Sequence, residues 1–509
     1  MYTKDVKRET AIKILLSGLL FFLVLTSQSC SSSNWSVPSA ASNLSPAVVI
    51  TSPFAGNISD EGTNVTFTGS ANDPEDGALS GASLVWTSDR DGQIGIGLTF
   101  DITTLSRGVH VITLTAADES GGQGTAVMTI TVRTPWFGSQ WGCRQQITIS
   151  ASMAPLDQTD FPALIQITDQ NNPLFDNAQA GGDDILFTDL DGVNQLDHEI
   201  ELYSSTGTEE LDAWVRINLS STSDTILYMY YGNGGAANQE NVNAVWSNDF
   251  IMVQHLNESP ANGVAGHIDS APITDPKKVP YNFIPQNFDG VVGTTDAAGK
   301  IAGADYFAGD DDFLASDPTF YGSDQFRNVY FVDHWSNVPA DPDRNGTWTF
   351  SAWVQTPTAG RAVFSEGNNA AVAWNRVRLD ASGQFDSNGL NNSWTPTHGI
   401  TSNATGLNDN TWKYLVMAYD NGDLDMYING SFDQNSFLAP LGNISIYHSA
   451  IGSWRRYYSG AWRNYSFWEG LIDEVRASKI NRSADWILTE YNNQDNPAGF
   501  LTFGTEEVL

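Results

Sequence analysis

Residues 454–468 read Trp-Arg-Arg-Tyr-Tyr-Ser-Gly-Ala-Trp-Arg-Asn-Tyr-Ser-Phe-Trp, the densest aromatic stretch of the chain. Sugar rings carry apolar C–H faces that stack on aromatic planes, and Arg or Asn side chains bond the hydroxyls around them. Trp454, Arg455, Arg456, Tyr457, Tyr458 and Trp462 are therefore candidates for a glycan platform. The competing role is core packing, and Trp468, beside a closing strand, reads as core. Acidic clusters come next, because calcium takes roughly six to eight oxygen ligands. Asp310, Asp311 and Asp312 form one acidic loop, and Asp73, Glu75, Asp76 and Asp118 could converge between two others. Solvated turns produce the same patterns without metal.

Catalytic spacing is absent. Glycan hydrolysis needs two carboxyl groups flanking the scissile bond. The strand spacing Glu-x-Asp-x-x-Glu that supplies them begins at Glu210-Leu211-Asp212 but reaches Val215. His198-Glu199-Ile200-Glu201-Leu202 opens like a zinc-protease helix, yet the second His is missing and the segment alternates like a strand. Neither a Gly-x-Ser-x-Gly elbow nor a phosphate-binding Walker loop occurs. The expectation is a protein without catalytic activity.

These residues must be held by β-structure. Period-2 runs such as Val65-Thr66-Phe67-Thr68 and Met128-Thr129-Ile130-Thr131-Val132 recur between Gly, Asn, Asp and Pro breaks. Such spacing predicts antiparallel sandwiches, an all-β chain. Ser483–Asn492 alone reads as helix, with Ser483 as N-cap and Ile487 and Tyr491 on one face. The 509 residues suggest about three domains. A formal charge of −35 argues against nucleic-acid partners, and two Cys cannot form a disulfide framework.

At the N-terminus, Lys4, Lys7, Arg8 and Lys13 precede the apolar run Ile14–Leu25. That run suits a signal peptide and is short for a membrane span. Ser29-Cys30 followed by Ser31-Ser32-Ser33 resembles a bacterial lipoprotein signal, with Ser27 where that family prefers Leu. The resemblance implies cleavage after residue 29 and lipid on the Cys30 thiol, at the cell surface or outer membrane/periplasm; residues 30–46, Ser/Asn/Ala/Pro-rich and without apolar periodicity past Cys30, read as a flexible tether.

Three blocks follow. Residues 47–133, with Asp73-Pro74-Glu75-Asp76-Gly77 and Leu84-Val85-Trp86, resemble PKD-like, immunoglobulin-type spacer domains. Residues 136–247, with Gly182-Asp183-Asp184-Ile185-Leu186-Phe187 and Ile226-Leu227-Tyr228-Met229-Tyr230-Tyr231-Gly232, resemble the DUF2341 family. That block departs at Cys143, where an aromatic is expected, so Cys143 reads as a small core residue. Residues 250–509, with Trp348-Thr349-Phe350-Ser351-Ala352-Trp353 and Gly470-Leu471-Ile472-Asp473-Glu474-Val475-Arg476, resemble the laminin-G-like, concanavalin A-like jelly roll. The third resemblance implies two curved sheets that hold a polysaccharide or surface protein. It also implies a calcium ion at Asp269 and Asp473, pinning a terminus to the closing strand. The alternatives left open are a purely structural or adhesive spacer, and a glycan-active hydrolase component.

Overall fold

The computed structural model describes residues 43–258, 266–272, 282–288, 297–316, 347–367, 374–390, 396–420, 422–437, 448–458 and 461–509. Nearly all of its regular structure is strand, as the alternating sequence requires. The chain divides into two compact units. Among the described residues, one takes those up to Asn57 with Asn64–Ile102 and His110–Ile130; the other takes Ile58–Thr63, Thr103–Val109 and those from Thr131 on.

The first unit is a two-sheet sandwich. The strand Val65–Asp73 alternates buried and accessible positions, which points Val65, Phe67 and Ala71 inward. It pairs with Ala47–Ser52, Gly77–Ala78 and Thr99–Ile102. Leu84–Ser88 lies in the opposing sheet and supplies Trp86. Phe67, Trp86 and Phe100 meet with ring centroids 5.3 to 5.8 Å apart, and all backbone around them belongs to sheet ladders.

The second unit joins the two later sequence blocks. One sheet runs Gln195–Leu196, Leu186–Thr188, Thr225–Tyr231, Cys143–Ile149 and Leu501–Val508. Its last member comes from the C-terminal end of the sequence and pairs with Cys143–Ile149 across the register Cys143↔Val508 to Ile149↔Leu501. Arg144 fixes that pairing: Nη2 lies 2.7 Å from Glu507 Oε2 and Nη1 2.9 Å from the Tyr230 hydroxyl. The facing sheet is Gln158–Ile167, Glu210–Leu219 and His198–Ser204. Between them lie Ile147, Phe161, Ile165, Phe187, Leu211, Val215 and Met229, with Phe500 and Trp486 in the same core.

The jelly roll follows. An eight-stranded sheet centres on Thr347–Gln355 and the closing strand Glu469–Ser478, and a seven-stranded sheet centres on Ala362–Gly367 and His448–Ile451. Phe307, Phe350, Phe364, Leu379, Met417, Met426 and Trp468 fill the space between. The helix Ala484–Asp495 covers the outer face of the eight-stranded sheet, where Ile487 packs with Trp353, Tyr414, Val416 and Tyr427. Ser483 caps it, its hydroxyl accepting from the Trp486 N–H at 3.2 Å. Asn493 reaches across to the second block and bonds the Leu164 backbone twice, at 2.7 and 3.0 Å, satisfying the edge of Gln158–Ile167.

Candidate functional site

The outer face of the seven-stranded sheet is polar because three adjacent strands alternate. In Trp374–Leu379 and Phe385–Leu390, Val377, Leu379 and Phe385 enter the core. Arg376, Arg378, Asp386 and Asn388 take the other side, with Arg376 opposite Asn388, Arg378 opposite Asp386, and Thr401 beyond Asp386. Arg378 Nε donates to Asp386 Oδ2 at 2.6 Å, the Thr401 hydroxyl to Asp386 Oδ1 at 3.0 Å, and Arg376 Nη2 to Asn388 Oδ1 at 3.1 Å. Burial, reinforced by the neighbouring Arg378 charge, pushes the Arg376 guanidinium down to about 10.

A hairpin of Trp454–Tyr458 and Ala461–Tyr465 is stapled beside this row. The Ser365 hydroxyl donates to the Ser453 carbonyl at 2.7 Å and accepts from the Arg455 N–H at 2.9 Å. The Arg376 guanidinium carbon stands 4.5 Å from the centroid of the half-buried Trp454 ring, and Tyr465 packs against Trp454 at 5.6 Å. Guanidinium, indole, amide and hydroxyl groups thus share one rigid sheet face. Arg376 and Asp386 are themselves buried, so the partly accessible members, Trp454, Arg378, Asn388 and Thr401, are the ones that can stack a ring and bond its hydroxyls.

A second polar assembly is buried where the His198–Ser204 and Glu210–Leu219 strands meet the closing strand. His255 Nδ1 lies 2.6 Å from Glu474 Oε1 and 3.2 Å from Glu201 Oε2, and Nε2 lies 3.3 Å from Glu199 Oε2. Trp246 Nε1 and the Ser270 hydroxyl each donate to Glu199 at 2.6 Å. Trp214 Nε1 donates to Glu201 at 2.7 Å. Arg476 binds Glu474 and stacks 4.2 Å from the Trp214 ring. Burial alone would deprotonate His255, but Glu474, Glu201 and Glu199 together hold it well above its ordinary range. Burial pushes Glu201 up to about 7 and raises Asp212 and Asp473, which also feel Glu201.

Residues 332–488 match the concanavalin A-like lectin/glucanases superfamily, and residues 181–263 match a domain of unknown function, DUF2341. The jelly roll is a concanavalin A-like domain. No curated protein matches the chain by sequence. Among solved structures, the chain is similar to the binding domain of botulinum neurotoxin serotype D, at 11% identity and TM-score 0.31, covering 48% of this chain and 52% of that one. The chain therefore spans about half the length of that domain. It is also similar to the CBM40 of a Ruminococcus gnavus IT-sialidase, at 12% identity and TM-score 0.25 over 30% of this chain and 85% of that one. Domain 4 of AbnA, a GH43 extracellular arabinanase from Geobacillus stearothermophilus in complex with arabinotriose, gives 16% identity and TM-score 0.31 over 48% and 98%.

Within the concanavalin A-like domain, the expected platform divides. Trp468 is fully buried in the core, Trp454 and Arg455 are half-buried, and Tyr465 is exposed. Arg455 lies 5.5 Å from the Phe313 ring. The backbones of Arg456, Tyr457, Tyr458 and Trp462 lie on the hairpin, while their side chains fall outside the described ones. Asp269 and Asp473 are both buried and both hold backbone: Asp269 Oδ1 accepts from Val253 and Ala271, and Asp473 Oδ2 from Lys300 and Ile301. Neither belongs to the groups of three metal-ligating side chains found among the described residues, Glu201–His255–Glu474 and Asp310–Asp312. In the latter, Asp312 accepts from the Ala308 N–H at 2.8 Å, as a turn cap does. In the first unit, Asp73 and Asp118 each accept two turn amides at 2.8 Å. Cys30 lies outside the described residues. Cys143 sits half-buried at the edge of the DUF2341-side core.

Sequence reading missed Arg376, Arg378, Asp386 and Asn388. Their strand carries the alternation that marks one polar face, but nothing local shows that Trp454 will come to stand over it. It also passed over Glu199 and Glu201, since their partner His255 is 56 positions from Glu199 and 219 from Glu474.

Proposed function

We propose that this chain is a non-catalytic, lipid-anchored surface protein that binds extracellular glycan through the outer face of the seven-stranded sheet. The observation that carries the reading is the Arg376 guanidinium stacked 4.5 Å from Trp454, at the head of the row Arg378, Asp386, Asn388 and Thr401. Binding needs such a pre-organised polar row with an aromatic edge, since rotamers already fixed by packing cost little entropy on association. The superfamily's name covers both lectins and glucanases. Binding is the favoured half because Asp386, the carboxylate described within this row, is committed to Arg378, Thr401 and Asn388 rather than poised as an acid. The Cys30 lipid would hold the protein at the bacterial surface.

The test is affinity electrophoresis of the full mature chain through gels loaded with neutral and acidic polysaccharides. The full chain is required because the concanavalin A-like domain shares a sheet and a core with the preceding block. Retention by at least one polysaccharide is expected. Arg376→Ala and Trp454→Ala should each weaken it about tenfold, equivalent to about 1.4 kcal/mol. No retention anywhere, or retention indifferent to both changes, removes the reading. Release of reducing ends from any retained polysaccharide overturns its non-catalytic half.

A further inference from the structure

We infer that Glu201, His255 and Glu474 form a binding site for one divalent transition cation of the zinc or manganese class, buried between the DUF2341-side sheet and the closing strand. One ligand atom from each residue lies within 4.8 Å of the others. All three side chains are at most 5% exposed. Carboxylate oxygen combined with imidazole nitrogen is the donor set of first-row divalent ions, whereas calcium prefers oxygen alone.

Each ligand is already aimed. Arg476 engages Glu474 through Oε2, which leaves Oε1 toward His255 Nδ1. Trp214 Nε1 orients Glu201 through Oε2. His255 turns Nε2 to Glu199, which Ser270 and Trp246 hold in place. A carboxylate on the far nitrogen is the arrangement that fixes a metal-ligating imidazole.

The independent observation is a set of buried oxygens that no donor satisfies. Glu201 Oε1, in the same carboxyl group that faces His255, is buried without a hydrogen-bond partner, and so are Asp473 Oδ1 and Asp212 Oδ2. Asp473 accepts from the Lys300 and Ile301 amides through its other oxygen, and Asp212 from the Gln166 side chain through its own. Both side chains are fully buried. The seam therefore gathers Glu199, Glu201, Asp212, Asp473, Glu474 and Glu490 against the cations His255, Arg476 and Arg482. An unpaired buried carboxylate oxygen is costly. A divalent cation at Nδ1 would satisfy Glu201 Oε1, releasing the imidazolium proton of His255 to solvent.

The experiment takes the full chain, strips it with EDTA, dialyses it, and reloads it separately with zinc, manganese or calcium. Bound metal is measured by mass spectrometry and stability by thermal melting. About one zinc or manganese per chain and a raised Tm are expected, with calcium doing neither. Glu201→Gln, which keeps an acceptor for Trp214, should abolish stoichiometric loading while still melting cooperatively. Glu199→Gln should weaken affinity about 10- to 100-fold. Wild-type loading that stays negligible, loading retained by Glu201→Gln, or equal restoration by calcium would overturn the assignment and leave His255 as an imidazolium bridging carboxylates. Should Glu201→Gln not fold, wild-type stoichiometry and the zinc-against-calcium comparison decide.

Discussion

His198 makes the stability of the second unit depend on pH in a way that can be worked out in advance. The ring is fully buried and meets Phe187 edge-on at 5.3 Å. Burial pushes its pKa down from 6.5 to about 4, against a smaller opposing pull from the Leu196 and Ile185 carbonyls. The fold thus prefers the neutral imidazole. Above pH 6.5 neither state is protonated and the site is silent. As pH falls through the window from 6.5 to 4, the unfolded chain takes up a proton that the folded chain refuses, so stability falls. At pH 4.5 this amounts to about 2.5 kcal/mol, from one titrating group at about 1.36 kcal/mol per pKa unit. The assay is urea unfolding of wild type and His198→Gln at pH 7.5 and 4.5. Carboxylates and His255 titrate in both proteins and cancel in the comparison. Wild type should lose about 2.5 kcal/mol more than the variant across that interval. Equal losses, or an NMR titration placing the folded His198 near 6.5, would refute the reasoning.

Two further outcomes join those given for glycan retention and metal loading. Burial first, then the Glu506 and Asp184 charges, push the Cys143 thiol up from 9.0 to about 11. At pH 8 its native thiolate should be about 100-fold scarcer than in the unfolded chain. Iodoacetamide labelling should accordingly be slow until urea is added, and fast native labelling would contradict this. Asn493→Ala should cost about 1–3 kcal/mol, because it strands the Leu164 N–H and C=O on a buried sheet edge. Urea midpoints read that loss, and an unchanged midpoint would mean that water replaces the amide.

What the sequence showed and what it hid divide along chain separation. The helix at Ser483 was legible because its cap and its apolar face lie within one short stretch, although it runs past the expected Asn492 to Asp495. The strands were legible because period-2 alternation is local. Trp468 was legible as core from the closing strand beside it. The surroundings of Trp454 were half legible: the aromatic run marks the hairpin, but the arginine row it borders lies about eighty positions earlier. The buried seam was illegible, because His198-Glu199-Ile200-Glu201 looks like any strand until His255 and Glu474 arrive from elsewhere. Sequence also drew a border near residue 249 that packing does not respect. Ile301, Trp486 and Phe500 complete the core begun by Ile147 and Phe161.

The pairing of Leu501–Val508 with Cys143–Ile149 has a consequence for how the molecule is made. A ribosome delivers residue 143 hundreds of steps before residue 508. Through all of that interval the Cys143–Ile149 strand has one bare flank, ready to recruit any extended peptide nearby. Residues 501–508 are the ones that shut it, so the DUF2341-side sandwich reaches its native form only after that distant strand has emerged.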